Sequence, residues 1–245
     1  MTRLVAVVLG VVFAFAGTPS VHTSTSTENA WLIVVDDLHV PFAQTGRLRD
    51  LLRRVAAELI QEGDRHLFRA SGPSGTSLTS EALTDDRSLA ASAIKFMTGN
   101  GLKDWDIFVA LPGASAADEV VYRANIALNA ADDAIYVLTR DAAPRQAIVY
   151  VSGGYDVESY PAIAARVRAF SRRARENNIT IFPIDARGFG SLIEPDPRLD
   201  ADTLLRYTTA LRRSLTVMAE ETGGFVIERP NEPASGLKHI AEQMR

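Results

Sequence analysis

Residues 31–40 read WLIVVDDLHV: five apolar positions run without a break into two adjacent acids, Asp36 and Asp37, followed by Leu38, His39 and Val40. A short apolar run of this kind, rich in β-branched residues, predicts a strand buried on both faces, as in a parallel sheet covered by helices on each side. Carboxylates at the end of such a strand fall where open parallel sheets hold their ligands. The first question is therefore whether the rest of the chain supplies the other strands of that sheet.

Working outward from Val35, apolar runs alternate with stretches of helical period. Leu48, Leu51, Leu52, Val55 and Leu59 recur at i, i+3, i+4, i+7 and i+11 between Gln44 and Gly63, one stripe of a helix. Asp64 to Ala70 predicts a second strand, at an edge because charges interrupt it. Thr84-Asp85-Asp86 suits the start of a helix that runs to about Thr98. The segment 100–141 predicts a loop, then helical material from Ala116 to Leu138 inserted between two strands. Gln146 to Val151 is the next strand, closed by Ser152, Gly153 and Gly154. A helix then starts near Pro161, with Ile163, Val167, Phe170 and Ala174 on one side. Ile179 to Ile184 is a strand ending in Asp185-Ala186-Arg187-Gly188. Leu204 to Glu221 is helical, Phe225 to Glu228 a last short strand, and Leu237 to Met244 a closing helix. Strands separated by helix-length segments predict an α/β fold, a Rossmann-like, open, mainly parallel sheet with helices on both faces.

The 245 residues suffice for one large domain, expected over 30–245, and no internal repeat divides them. A formal net charge of −4 gives no reason to expect nucleic acid as a partner. The chain has no cysteine, which excludes disulfides, thiolate nucleophiles and cysteine-bound metals. Residues 1–16 carry Arg3, an apolar run and Ala14-Phe15-Ala16, the pattern of a signal peptide. Residues 17–29 are a polar, Thr- and Ser-rich leader. The expectation is export, to a periplasmic or extracellular location, with an N-terminal membrane anchor as the alternative and no membrane insertion of the mature chain.

The order of these pieces resembles a von Willebrand factor A (VWFA) domain: a first strand ending in Asp-Asp, then AIVYVSGG, NITIFPIDARG and AEETGGFV. FPIDARG and EETGG carry the narrower resemblance, to the VWFA-related proteins of acidobacteria. The likeness spans about Trp31 to Met244 and implies a module for adhesion or protein binding without catalysis. Its implied site, a metal-ion-dependent adhesion site, needs Asp-x-Ser-x-Ser after the first strand, a loop threonine and an aspartate after the middle strand. Mg²⁺ calls for about six hard oxygen ligands. Asp36 matches the first position, but Leu38 and Val40 stand in place of the serines, and Ser152-Gly153-Gly154 lacks the acid. Thr84 is the candidate loop threonine. Asp37 and His39 beside Asp36, with Asp156 two residues past the glycines, are the groups that could rebuild a site, one suited to Mn²⁺ or Zn²⁺. Asp36 and Asp37, however, point to opposite faces unless the strand breaks. The expectation is no metal and no other cofactor, with Asp36, Asp37 and Asp156 as the candidate ligands. Either acid then serves instead as acceptor for backbone amides of a neighbouring loop.

A protein partner is expected on a rim formed by Asp36, Asp37, His39, Thr84, Ser152, Gly153, Gly154, Asp156, Asp185 and Arg187, with no catalytic residue. His39 reads as a rim histidine holding one hydrogen bond in preference to a general base, for want of a nucleophile beside it. Ser152-Gly153-Gly154 reads as a tight turn before it reads as an anion cradle, since it lacks a phosphate-loop lysine. Asp185 and Arg187 suit a structural ion pair. Arg168, Arg172 and Arg175 fall opposite the apolar stripe of their helix, on a solvated face, with Arg166 and Arg173 flanking it. The rival is a hydrolase or phosphatase-like α/β enzyme that uses Asp36 after its first strand.

Overall fold

The computed structural model describes residues 28–77, 82–101, 115–141, 143–189 and 200–245. The expected signal peptide and nearly all of the leader lie outside the described residues.

Four strands form one parallel sheet: β1 (Asn29–Val35), β2 (Arg65–Ala70), β3 (Arg145–Ser152) and β4 (Ile179–Asp185), in the order β2-β1-β3-β4. In register, Val35 lies beside Ala70 on one side and Val151 on the other, and Ser152 beside Asp185. The helices are α1 (Thr45–Leu59), α2 (Arg87–Phe96), α3 (Ser115–Thr139), α4 (Pro161–Glu176), α5 (Ala201–Thr222) and α6 (Ala234–Gln243).

Side-chain alternation sorts the core into two layers. Trp31, Ile33 and Val35 of β1, with Val149 and Val151 of β3, pack under α1, α2 and α6 through Leu48, Leu52, Val55, Ile94, Leu237 and Ile240. Leu32 and Val34, with Ile148 and Tyr150, pack under α3, α4 and α5 through Leu128, Ile135, Val167, Phe170, Leu215 and Met218. Both faces of β1 and β3 are thus covered, which is why their sequences are continuously apolar. From β1 to β2 the chain steps one way across the sheet, and from β3 to β4 the other. Right-handed crossovers therefore place α1 and α4 on opposite faces, as found.

Several expectations change on contact with the structure. The material expected as an insertion, Ala116 to Leu138, lies within α3, whose Ala124, Ala127, Leu128, Ala131 and Leu138 are buried in the second layer. It covers a sheet face like any other helix of the fold. The strand expected over Phe225 to Glu228 reduces to one bridge, Ile184 with Ile227, made by Ile227 N–H donating to Pro183 O and Asp185 N–H donating to Ile227 O. Gly223, left-handed at φ 79°, ends α5 four residues before that bridge. Just below the bridge, Thr222 Oγ1 accepts from Ile181 N–H at 3.0 Å. At the other edge Thr84 pairs antiparallel with His66 through both backbone bonds. Helix α2 begins three residues later, capped by Asp86, whose side chain accepts from Ser88 N–H. No helix among the described residues is long and apolar enough to cross a membrane.

Candidate functional site

In the order β2-β1-β3-β4 the chain leaves β1 in one direction and β3 in the other, so a crevice opens between their carboxyl ends. Asp36 and Asp37 follow β1 at this point. The strand breaks after Val35 into a 3-10 turn over Asp37–His39, which lets the two acids approach each other while facing different layers. Both are fully buried.

Asp36 turns toward the second layer. Its Oδ1 accepts from His39 Nδ1 at 2.8 Å and lies 3.1 Å from Ser71 Oγ; its Oδ2 accepts from Ser152 Oγ at 2.7 Å and Tyr155 OH at 2.8 Å. Behind this shell Tyr150 OH meets Tyr155 OH, and Gly154 N–H donates to Ser152 Oγ at 3.0 Å. That last bond occupies a lone pair of Ser152 and leaves its proton for Asp36. Burial by itself would raise the Asp36 pKa. The charge of His39 and the hydrogen bonds from His39, Ser152 and Tyr155 more than offset it, and the carboxyl stays below its ordinary 3.8. Burial, then the Asp36 charge, push both Tyr150 and Tyr155 well above the ordinary 10.0. Both phenols therefore stay protonated and able to donate.

Asp37 turns toward the first layer and staples two loops. It accepts from Gly72 N–H at 2.5 Å, Ser74 N–H at 3.0 Å and Asn100 Nδ2 at 3.0 Å, and Ser71 Oγ lies 3.1 Å away. Acceptance from the amides of a neighbouring loop is thus the role of Asp37, whereas Asp36 takes side-chain donors. Ser74 in turn bonds Thr98, through its carbonyl and its hydroxyl.

The glycines of the middle turn have steric reasons. A Cβ on Gly153 would lie 2.5 Å from His39 O. Gly154 has φ 81°, and a Cβ there would collide with Leu211 O.

Of the ten residues expected on the rim, the structure brings Asp36, Asp37, His39, Ser152, Gly153 and Gly154 together. Asp185 and Arg187 form a separate cluster one strand along: Arg187 holds both Asp185 oxygens, Nε at 2.9 Å and Nη2 at 2.6 Å, and Nη1 donates to Thr208 O at 2.7 Å. That pair ties β4 to α5. Asp156 caps its own turn, accepting from the N–H groups of Glu158 and Ser159. Thr84 is not on the rim: it pairs with His66, near the amino end of β2, because its backbone closes the sheet edge there. Sequence reasoning missed Ser71, Ser74, Asn100 and Tyr155. Tyr155 directly follows Ser152-Gly153-Gly154 and Asn100 sits between two glycines, which are the local signals that mark them.

His39 is partly open to solvent, its side chain 18% exposed, and Phe42, just past the turn, is 72% exposed. Among the described residues no three His, Asp or Glu side chains are placed to share a metal ion.

Fold and site together define a Rossmann-like α/β domain whose switch-point crevice is filled by its own hydrogen bonds. No family model matches the chain, and no curated protein matches it. Among solved structures, the crystal structure of the TFIIH p34 N-terminal domain is similar, with a TM-score of 0.38 and 13% identity, over 86% of this chain and 96% of that chain. The fold assignment rests on the sheet described above and not on that likeness.

Proposed function

We propose that the protein is an exported, VWFA-like protein-binding module whose adhesion site is degenerate and whose partner docks on the rim without a bridging cation. The narrower tie to acidobacterial VWFA-related proteins rests on FPIDARG and EETGG alone. The observation that carries the proposal is the saturation of Asp36: both oxygens of the one matching site aspartate face donors from His39, Ser71, Ser152 and Tyr155. A divalent cation needs those lone pairs, and Leu38 and Val40 offer no oxygen to replace them. The residues present do not fit the metal that the resemblance implies. The rival hydrolase finds little support, since it asks a fully buried carboxylate to meet a substrate.

Phe42 is the apolar anchor such a rim offers a partner, an exposed aromatic beside a polar crevice. The test is thermal unfolding with Mg²⁺, Mn²⁺, Ca²⁺ or Zn²⁺, alongside photo-cross-linking in the producing cell from a reactive residue at Phe42. Expected are an unchanged midpoint with every ion and a discrete protein adduct that survives chelator. A bound ion at about 100 times its dissociation constant would add roughly 2.7 kcal/mol. Such a rise, absent in Asp36→Ala, would overturn the metal-free reading, and adduct loss on chelation would do the same.

A further inference from the structure

On the first layer, away from Asp36, α1 and α2 lie side by side. Arg49 Nε donates to Met97 O at 2.8 Å, and Gly99 N–H donates to Thr45 Oγ1 at 3.0 Å, so the end of α2 meets the start of α1 and the helices run antiparallel. Between them a groove of about 360 Å³ remains open. On α1 and its C-cap residue Ile60 it is lined by Arg49, Arg53, Ala56, Ala57 and Ile60, at i, i+4, i+7, i+8 and i+11. On α2 it is lined by Arg87, Ala90, Ala91, Ile94 and Lys95, at i, i+3, i+4, i+7 and i+8. Each set is one continuous helix face.

The chemistry of the two walls is the same. The floor is small or apolar: Ile60, Ala90 and Ile94 are buried, and Ala57 and Ala91 form exposed lips. Alanine at these positions keeps both helix backbones within reach of an incoming element. Around the floor stand four cations, with no acid among the described lining residues, on a chain whose formal net charge is −4. Arg53 pairs with Asp50, but both are more than half exposed and that pair is weak. Arg87 and Lys95 are eight residues apart, about 12 Å along the axis. An occupant that meets both must extend over at least two helical turns.

We propose that this groove docks an amphipathic helix of a partner protein, with large apolar side chains on one stripe and Asp or Glu flanking it. Two antiparallel helices with a small-residue floor receive a third helix lengthwise, and the cations on both walls select acidic flanks. The site is independent of the Asp36 rim, so either can fail without the other.

The test uses the purified protein and a labelled synthetic peptide of about 18 residues, long enough to be helical, with a leucine stripe flanked by glutamates. A control peptide has the same composition with its leucines dispersed. Anisotropy titration should show saturable binding of the stripe peptide that weakens with added salt. Arg53→Glu combined with Lys95→Glu should weaken it at least tenfold, as should Ala91→Trp, which lays an indole across the groove from its lip; Arg168→Glu, on the exposed face of α4, should leave it unchanged. The two charge reversals lie on exposed positions, so folding survives them even if the tryptophan variant does not fold. The proposal is overturned by no binding, by equal binding of the dispersed peptide, which would be a bare polyanion effect, or by binding indifferent to the charge reversals. It is equally overturned if dodecanoate displaces the peptide at comparable concentration, which would assign the groove to small acidic amphiphiles.

Discussion

Ser71 sits between two buried carboxylates, its hydroxyl 3.1 Å from Oδ1 of Asp36 and of Asp37. One proton serves two anions, so the pair depends on the other donors around it. Replacing Asp36 by Asn presents an NH₂ to groups that are themselves donors, and we expect a loss of about 3 kcal/mol in urea unfolding. Asp36 titrates below its ordinary 3.8 when folded, so the unfolded chain takes up the proton first as pH falls. Its stabilisation is complete above that value and is lost as pH drops through the folded pKa. His66 behaves differently. It is buried, both ring nitrogens lack hydrogen-bond partners among the described residues, and its pKa is lowered from 6.5, first by burial and then by Arg87, against the opposing charges of Asp86, Asp85 and Asp64. Below about pH 6.5 the unfolded state binds the extra proton, so stability falls with pH in that window. His66→Leu should flatten the slope of unfolding free energy against pH there, while leaving the loss below about pH 3.8 in place.

At the scale of elements, two glycines separate strain from collision. Gly223 ends α5 at φ 79° with nothing within 4 Å of the place a methyl group would take, whereas Gly154 has φ 81° with Leu211 O in the way. Gly223→Ala should cost about 1 kcal/mol, the penalty of a left-handed backbone alone. Gly154→Ala should cost clearly more, since α5 must also shift, and denaturant midpoints of the two variants would rank them. The helices were readable from the sequence because their stripes are local: Leu48 to Leu59 on α1 and Ile163 to Ala174 on α4 need only a period of 3.6. The shell around the acids was not readable in the same way. Ser71, Asn100 and Tyr155 reach Asp36 or Asp37 from 35, 63 and 119 residues away, and no periodicity carries that information. The placement of Thr84 failed for a related reason. A polar residue near a predicted helix start says nothing of which end of the sheet it reaches.

For the whole molecule, β1 and β3 are the centre of everything: both faces covered, both neighbours paired. Amide exchange should therefore be slowest at Leu32 to Val34 and Ile148 to Tyr150, at the rate of global unfolding, and markedly faster in α2, which lies over the β2 edge. Fast exchange in β1 would contradict the two-layer core. The parallel order itself was legible, since apolar runs spaced by helices allow little else. The direction of each step across the sheet was not.

The lone bridge at Ile227 has a consequence for how copies of this chain meet one another. Along the outer margin of β4, the N–H of Ile181 goes to a threonine side chain, Pro183 has no N–H and gives its oxygen to Ile227, and the N–H of Asp185 goes back to the same residue. Three successive outward positions are spoken for without a fifth strand. A crowding neighbour that presents an extended segment finds no free ladder to continue there, and the margin resists the stacking by which sheet proteins precipitate.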